Sequence, residues 1–279
     1  MVRQTPSMAP DEHLFEPPAP VDTTRPNAAR MYDYYLGGSA NFEADRDAAE
    51  AGLAAMPFAR DYAKANRAFL GRAVAHLVRG GIDQFLDLGS GVPTVGNVHE
   101  IARAHDPAAR VAYVDHEPVA VSHARRLLAD LDGVTVTQAD IRDPQAVLTA
   151  PGVAELLDFD RPVAVLAVAI LPFVPEQAEA LSVVGAYRAA CVPGSPLVVS
   201  HISALAATPE QVADAEEVMA RTPTPVRWRP REEVEELFTG YELIEPGLVP
   251  APMWRPDRLV TEQAAAPANA FAGVGTLRG

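Results

Sequence analysis

Between residues 82 and 200 short apolar runs alternate with stretches of helical periodicity. Phe85-Leu86 is a short apolar run that leads into Asp87, Gly89 and Gly91, which predicts a buried strand closed by a tight glycine turn. Val95–His105 has helical spacing. Arg110–Asp115 reads as a second strand, Pro118–Leu131 as a helix, and Val134–Gln138 as a third strand that stops at Ala139-Asp140. Asp143-Pro144 supplies a helix cap with proline at the first position. Val163–Leu171 is a nearly unbroken run of aliphatic residues, as in a central parallel strand covered on both faces. Gln177–Cys191 is helical and ends at Pro193-Gly194, and Leu197–Ser200 is a fifth strand. Further on, Thr208-Pro209-Glu210-Gln211 starts a helix with a capping box. Arg231–Phe238 is a short helix, Ala264–Ala270 an Ala/Pro connection, and Tyr241–Ile244 and Phe271–Thr276 are weaker strands.

The segment before this alternation reads differently. Met1–Asp22 is proline-rich without periodicity, a loosely docked or disordered tail. Residues 25–38 place helix-forming residues behind Pro26, at a first helical position, and stop at Gly37-Gly38. Tyr32, Tyr34 and Tyr35 cannot all lie on one face of that helix, so one points elsewhere, toward a ligand; Tyr34 is the candidate. The competing account is amphipathic packing. Phe42–Ala55 is helical, and Phe58–Val78 is a longer amphipathic helix with Ala65, Phe69, Ala73 and Leu77 on one face. The division expected is a tail over 1–22, a helical lid over 23–81 and a sheet domain over 82–279.

Composition narrows the class. Apolar residues make up 48% of the 279, enough for a sizeable core. No run approaches the roughly 18 apolar residues of a membrane span, and Met1–Pro20 has no apolar core segment of a signal peptide. One cysteine, Cys191, leaves no internal disulfide and no cysteine-based zinc site. The histidines show no metal-ligand spacing, so no metal is expected. These features point to a cytoplasmic protein. The net charge of −14 and the lack of a basic run argue against a nucleic-acid partner.

The chemistry lies at the predicted strand ends. Strand, glycine turn and helix together open a nucleotide site at the carboxyl edge of an α/β sheet, with Gly89, Ser90 and Gly91 as the turn. Asp87 stands two residues before the first glycine. A carboxylate there repels a dinucleotide phosphate and suits a ligand with a cationic end, which favours S-adenosylmethionine over NAD. Asp115, ending the second strand, can accept both ribose hydroxyls. Asp140 can accept from the adenine amino group while the Ile141 N–H faces a ring nitrogen. His116 sits beside the adenine or is a plain surface histidine. Ala169, at the end of the fourth strand, completes the cofactor set. His201, after the fifth strand, is the candidate general base, against an equal case for a loop-capping histidine. Trp254 and Arg255 line an acceptor pocket or belong to a proline-flanked loop. Cys191 reads as packing.

The order of these motifs resembles a class I S-adenosylmethionine-dependent methyltransferase. It is closer still to an actinobacterial family long known as a domain of unknown function and now called S-adenosyl methyltransferase. The resemblance is carried by Arg25–Gly38, Asn41-Phe42, Asp45-Arg46, Ala65–Leu70, Phe85–Thr94 and Asn97–Glu100, then by Val114-Asp115, Ala139–Pro144, Pro193–Ser195, Ser200-His201 and Gly273–Gly275. It covers the chain from about Arg25 onward. It implies a Rossmann-like α/β fold whose seven-strand, mostly parallel sheet ends in an antiparallel strand, and S-adenosylmethionine as cofactor. It implies no particular acceptor; a small molecule is expected, and the oligomeric state stays open. Two departures stand out. Val92-Pro93-Thr94 replaces the third glycine of the general turn, a form the close family shares, with Thr94 adding a hydroxyl contact. Pro172 stands before Phe173 where the family often has histidine, which leaves a non-catalytic cofactor-binding or interaction protein as the alternative reading.

Overall fold

The computed structural model describes residues 22–93, 96–220 and 226–279; the tail and Thr94 lie outside them. Three helices come first: α1 (Ala28–Tyr35), α2 (Glu43–Ala55) and α3 (Ala59–Arg79). The alternating part follows as β1 (Gln84–Leu88), α4 (Val98–Arg103), β2 (Arg110–Asp115), α5 (Pro118–Leu128), β3 (Val134–Gln138), α6 (Pro144–Thr149), α7 (Pro151–Ala154), β4 (Ala164–Val168), α8 (Gln177–Ala190) and β5 (Pro196–Ile202). Then come α9 (Pro209–Ala220), α10 (Arg231–Glu236), β6 (Tyr241–Leu243), β7 (Val249–Pro250), α11 (Glu262–Ala265) and β8 (Ala270–Leu277).

The strands form one sheet in the order β3-β2-β1-β4-β5-β8-β6, with the two-residue β7 paired to β8. β3 through β5 run parallel, and β8 is antiparallel to both β5 and β6. This is the expected mostly parallel sheet with an antiparallel strand near its end, plus the short β7. Register places Leu86 between Ala112 and Val165, and Val198 between Leu166 and Val274.

Side-chain alternation along the strands builds two cores, because successive residues point to opposite faces. Phe85, Val111 and Leu166 face α3, against Phe69, Ala73, Val74 and Leu77. Leu86, Ala112 and Val165 face the other way, into a layer with Val183, Val184 and Tyr187 of α8 and Val234 of α10. The second half of α3 is therefore a layer of the sheet domain, and a boundary at residue 82 cuts through packed core. Its first half, with Ala59 and Ala63, packs with Met31 and Tyr35 of α1, Ala49 of α2 and Ala215 of α9. Helices α1, α2 and α9 thus form a cap over the carboxyl edge of the sheet.

Local signals explain most element ends. Asn27 caps α1 by accepting from Ala29 N at 2.8 Å, so Pro26 precedes the cap and is not the first helical residue. Thr208 and Gln211 form the expected box: Gln211 N donates to Thr208 Oγ1 at 3.2 Å, and Thr208 N to Gln211 Oε1 at 3.0 Å. Helix α4 covers only the middle of the helical stretch read from the sequence, with a box between Asn97 and Glu100 fixing its start. In β8, a Cβ on Gly275 would lie 2.9 Å from Tyr241 Cβ, so its glycine lets β6 and α10 close onto the strand.

Candidate functional site

The turn after β1 is fixed by its own backbone. Gly89 N and Ser90 N donate to Val114 O at 2.8 and 3.1 Å. Gly89 and Gly91 have φ of +70° and +65°, in the left-handed region that favours glycine. A Cβ on Gly89 would also lie 2.3 Å from Ile170. Asp115, from the end of β2, reaches back across this turn. Its Oδ2 accepts from Gly91 N at 2.7 Å and its Oδ1 from Glu117 N at 2.8 Å. Each oxygen keeps lone-pair capacity for a ligand donor. Burial raises the Asp115 pKa, and the two backbone N–H groups oppose that rise.

Asp87 is 6% exposed at the end of β1. Burial pushes its carboxyl up to about 7; the Arg67 guanidinium pulls it down and the Asp115 charge adds to the rise. Ala169, just after β4, has φ of +57°. An alanine in that conformation is strained by about 1 kcal/mol or more. Its N–H is held by Ser200 O and Ser200 Oγ, both at 3.1 Å.

These groups line one cleft of about 1470 Å³ of atom-free space, open to solvent at its mouth. Asp87, Gly89, Ser90, Gly91, Asp115, His116 and Ala169 all lie along it. His116 is about half exposed, with Nδ1 3.8 Å from Asp115 Oδ1. Asp140 and Ile141 are not part of the lining. The Asp140 carboxylate is taken by Arg142, with Nε at 3.0 Å and Nη2 at 2.5 Å, and this pairing lowers its pKa. The Ile141 carbonyl accepts from Tyr187 OH at 3.0 Å.

The tyrosine prediction is corrected. Tyr32 and Tyr35, three apart on α1, share the face that lines the cleft. Tyr34 is turned away: its hydroxyl donates to Glu50 Oε1 at 2.5 Å, and Arg60 stacks over its ring at 5.1 Å. Tyr32 and Tyr35 donate to Ala63 O and Ala49 O, and burial pushes both up to about 12, so both stay protonated.

His201 is not a base. It is fully buried, with Arg229 Nη1 donating to its Nε2 at 2.7 Å and Nδ1 against Ile202 O at 2.8 Å. Arginine cannot accept, so Nε2 is the acceptor and the ring proton sits on Nδ1, donated to the carbonyl. Burial drives its pKa down to about 3. Its work is structural. Arg229, 1% exposed, also donates to Leu171 O at 3.0 Å, Val174 O at 2.7 Å and Gln177 Oε1 at 2.6 Å. It thereby clamps the 3₁₀ turn Leu171–Phe173, whose Pro172 and Phe173 face the cleft. Trp254 is also away from the cleft, packed at right angles to Phe69 with centroids 5.4 Å apart; Arg255 donates to Glu245 O. Cys191 is half-buried at the end of α8, its thiol pushed up by burial to about 11.

Three residues with a part in the site went unread in the sequence. Arg67 and Asn66 project from α3 into the cleft lining. The signals for them are their polar type beside the apolar stripe of that helix and their place in the Ala65–Leu70 motif, which carries the family resemblance without giving either residue a role. Arg30 is the third. Buried on α1, it bonds Asp45 at 2.9 Å, Glu117 at 3.4 Å and Arg25 O at 2.7 Å. Glu117 in turn caps α5 through Ala120 N at 2.7 Å, and its own N–H holds Asp115. The cap is therefore bolted to the residue that faces the ligand edge.

Comparison with known proteins agrees with this arrangement. Residues 15–278 match the family described as S-adenosyl methyltransferase. The crystal structure of a candidate methyltransferase from Thermobifida fusca YX shares 39% identity, covering 92% of this chain and 97% of that one, with a TM-score of 0.87. A DUF574 family protein from Streptomyces avermitilis MA-4680 shares 36%, covering 92% and 99%, with a TM-score of 0.85. No curated protein matches. With the family profile spanning nearly the whole sequence and both structures superposing over the sheet and its cap, the chain belongs to the S-adenosyl methyltransferase family and is an S-adenosylmethionine-dependent methyltransferase.

Proposed function

We propose that the enzyme methylates a small molecule held in the cleft between the sheet edge and the helical cap. The observation that carries this is continuity: one cleft joins Asp87, the glycine turn and Asp115 to a chamber lined by Tyr32, Tyr35 and Phe58.

The residues at the sheet edge fit the cofactor. Asp115 is assigned to the ribose hydroxyls, its two oxygens already fixed by backbone N–H groups. Asp87 and Arg67 offer a carboxylate and a guanidinium close together, matching the ammonium and carboxylate of the methionine end. His116 is assigned to the adenosine side, and Ala169 closes the floor. Bound there, the cofactor supplies an already activated methyl group.

The protein's part is alignment and exclusion of water. The Pro172 departure fits that division of labour: the turn contributes shape, clamped by Arg229, and no base. The acidic chain offers no basic stripe for a nucleic acid. Among the described residues no helix is long and apolar enough to cross a membrane. With its one cysteine unpaired, the cytoplasm is the compartment we assign. Calorimetric titration with S-adenosylmethionine and S-adenosylhomocysteine tests the reading. Micromolar binding of both is expected, abolished by Asp115→Ala; binding unchanged in that variant overturns the assignment.

A further inference from the structure

The cap side of the cleft is unlike its sheet side. Tyr32, Tyr35, Phe58, Phe173, Met219 and Trp228 line it. Phe58 and Trp228 meet edge to face, with centroids 6.2 Å apart and planes at 88°, which makes a right-angled apolar corner. Aromatic walls in that arrangement gain from a flat π-face laid against them, beyond simple area burial. The hydroxyls of Tyr32 and Tyr35 already donate to backbone carbonyls. Asp33, also on the lining, accepts from Asn41 Nδ2 at 2.8 Å.

Among the described residues of the lining, a buried acceptor at Asn66 stands unpartnered. Asn66 lines the cleft and is fully buried. Its Nδ2 donates to Tyr62 O at 3.1 Å, one turn back on α3. Its Oδ1 has no hydrogen-bond partner. A buried acceptor left unmade costs about 1–3 kcal/mol, and a ligand that brings an N–H or O–H to it removes that cost. A site with one committed acceptor also rejects analogues that lack the donor.

We propose that the methyl acceptor is a planar aromatic molecule carrying an N–H or O–H donor, its ring against the Phe58–Trp228 corner and its donor on Asn66 Oδ1. The inference rests on the cofactor lying at the sheet edge. It makes Asn66 a specificity-determining residue and Trp228 the wall that selects flat rings.

The test is a calorimetric panel on the full chain, run with and without saturating S-adenosylhomocysteine. The probes are 2-naphthol, its non-planar analogue decahydro-2-naphthol, and 2-methoxynaphthalene, which lacks the donor. Expected is 2-naphthol binding at least about tenfold tighter than either of the others. In Asn66→Leu the preference over 2-methoxynaphthalene collapses to near parity, while the preference over the decahydro compound remains. Trp228→Ala reverses that pattern. Equal affinity for the planar and non-planar alcohols in the wild-type protein, or no binding of 2-naphthol, overturns the proposal without any variant. Failure of the cofactor reading shows separately, as absence of heat from S-adenosylhomocysteine itself.

Discussion

The two sides of the cleft are built in opposite ways. The sheet side is made of strand ends and a turn, and its key groups are held by backbone: Gly91 and Glu117 N–H on Asp115, Val114 O on the turn. The cap side is made of side chains from α1, the α2–α3 connection, α3, α9 and the segment around Trp228, which meet only in the folded chain. The first is a rigid cradle for a ligand whose chemistry never changes. The second is a surface whose shape is set by a few large residues, and which can be altered by substituting them.

That contrast can be broken most forcefully at Asp115. Asp115→Ala removes the carboxylate proposed to hold the ribose diol and strands two backbone donors, and S-adenosylmethionine affinity is expected to fall by about 100-fold or more in calorimetry. Next comes the clamp beneath the cap-side turn. Arg229→Met leaves the acceptors on Leu171, Val174, Gln177 and His201 unmatched, with an expected loss of about 3–5 kcal/mol in denaturant unfolding.

A third effect comes from Asp87. In the proposed site the cationic end of the cofactor pairs with the ionised carboxylate, and burial pushes that group up to about 7. Affinity is therefore expected to rise about tenfold between about pH 6 and about pH 8, and Asp87→Asn should flatten the profile. The free protein behaves oppositely. Between the ordinary carboxyl value of 3.8 and about 7 the folded state keeps a proton that the unfolded state has lost, so Asp87 lowers stability as pH rises through that window. Thermal melts with and without cofactor across that range separate the two trends. The smallest expected effect is at Tyr34. Tyr34→Phe breaks an exposed bond to Glu50 and should change stability by about 0.5 kcal/mol or less, with cofactor affinity unmoved.

The same contrast decides what was legible beforehand. Strands β1, β2, β4 and β5 are legible in the sequence as short, mostly apolar runs and β3 as an alternation of period two, and the strand ends give Asp87 and Asp115 their places at the sheet edge. β8 read as weak because its glycines lower strand propensity, yet it lies inside the sheet since those glycines admit Phe238 and Tyr241. His201 was misread because its partner, Arg229, lies 28 residues away and fills its only acceptor. Tyr34 was misread because Glu50 and Arg60, from two other helices, claim it. Arg67 stands in a family motif but has no role legible in the sequence, because only packing of α3 on the sheet brings it near Asp87. Asp140 lies outside the cleft lining, its carboxylate paired with Arg142 two residues on.

The position of β8 carries a consequence for how the protein is made. β6 joins the sheet by pairing with β8, which lies between it and β5 and is translated about 70 residues after β5. At roughly 5–20 residues per second, the nascent chain spends several seconds with one flank of β5 unpaired and its apolar face exposed. β8 must therefore emerge from the ribosome before the sheet can close, and a chain stalled short of residue 270 presents a hydrophobic strand edge to whatever is nearby.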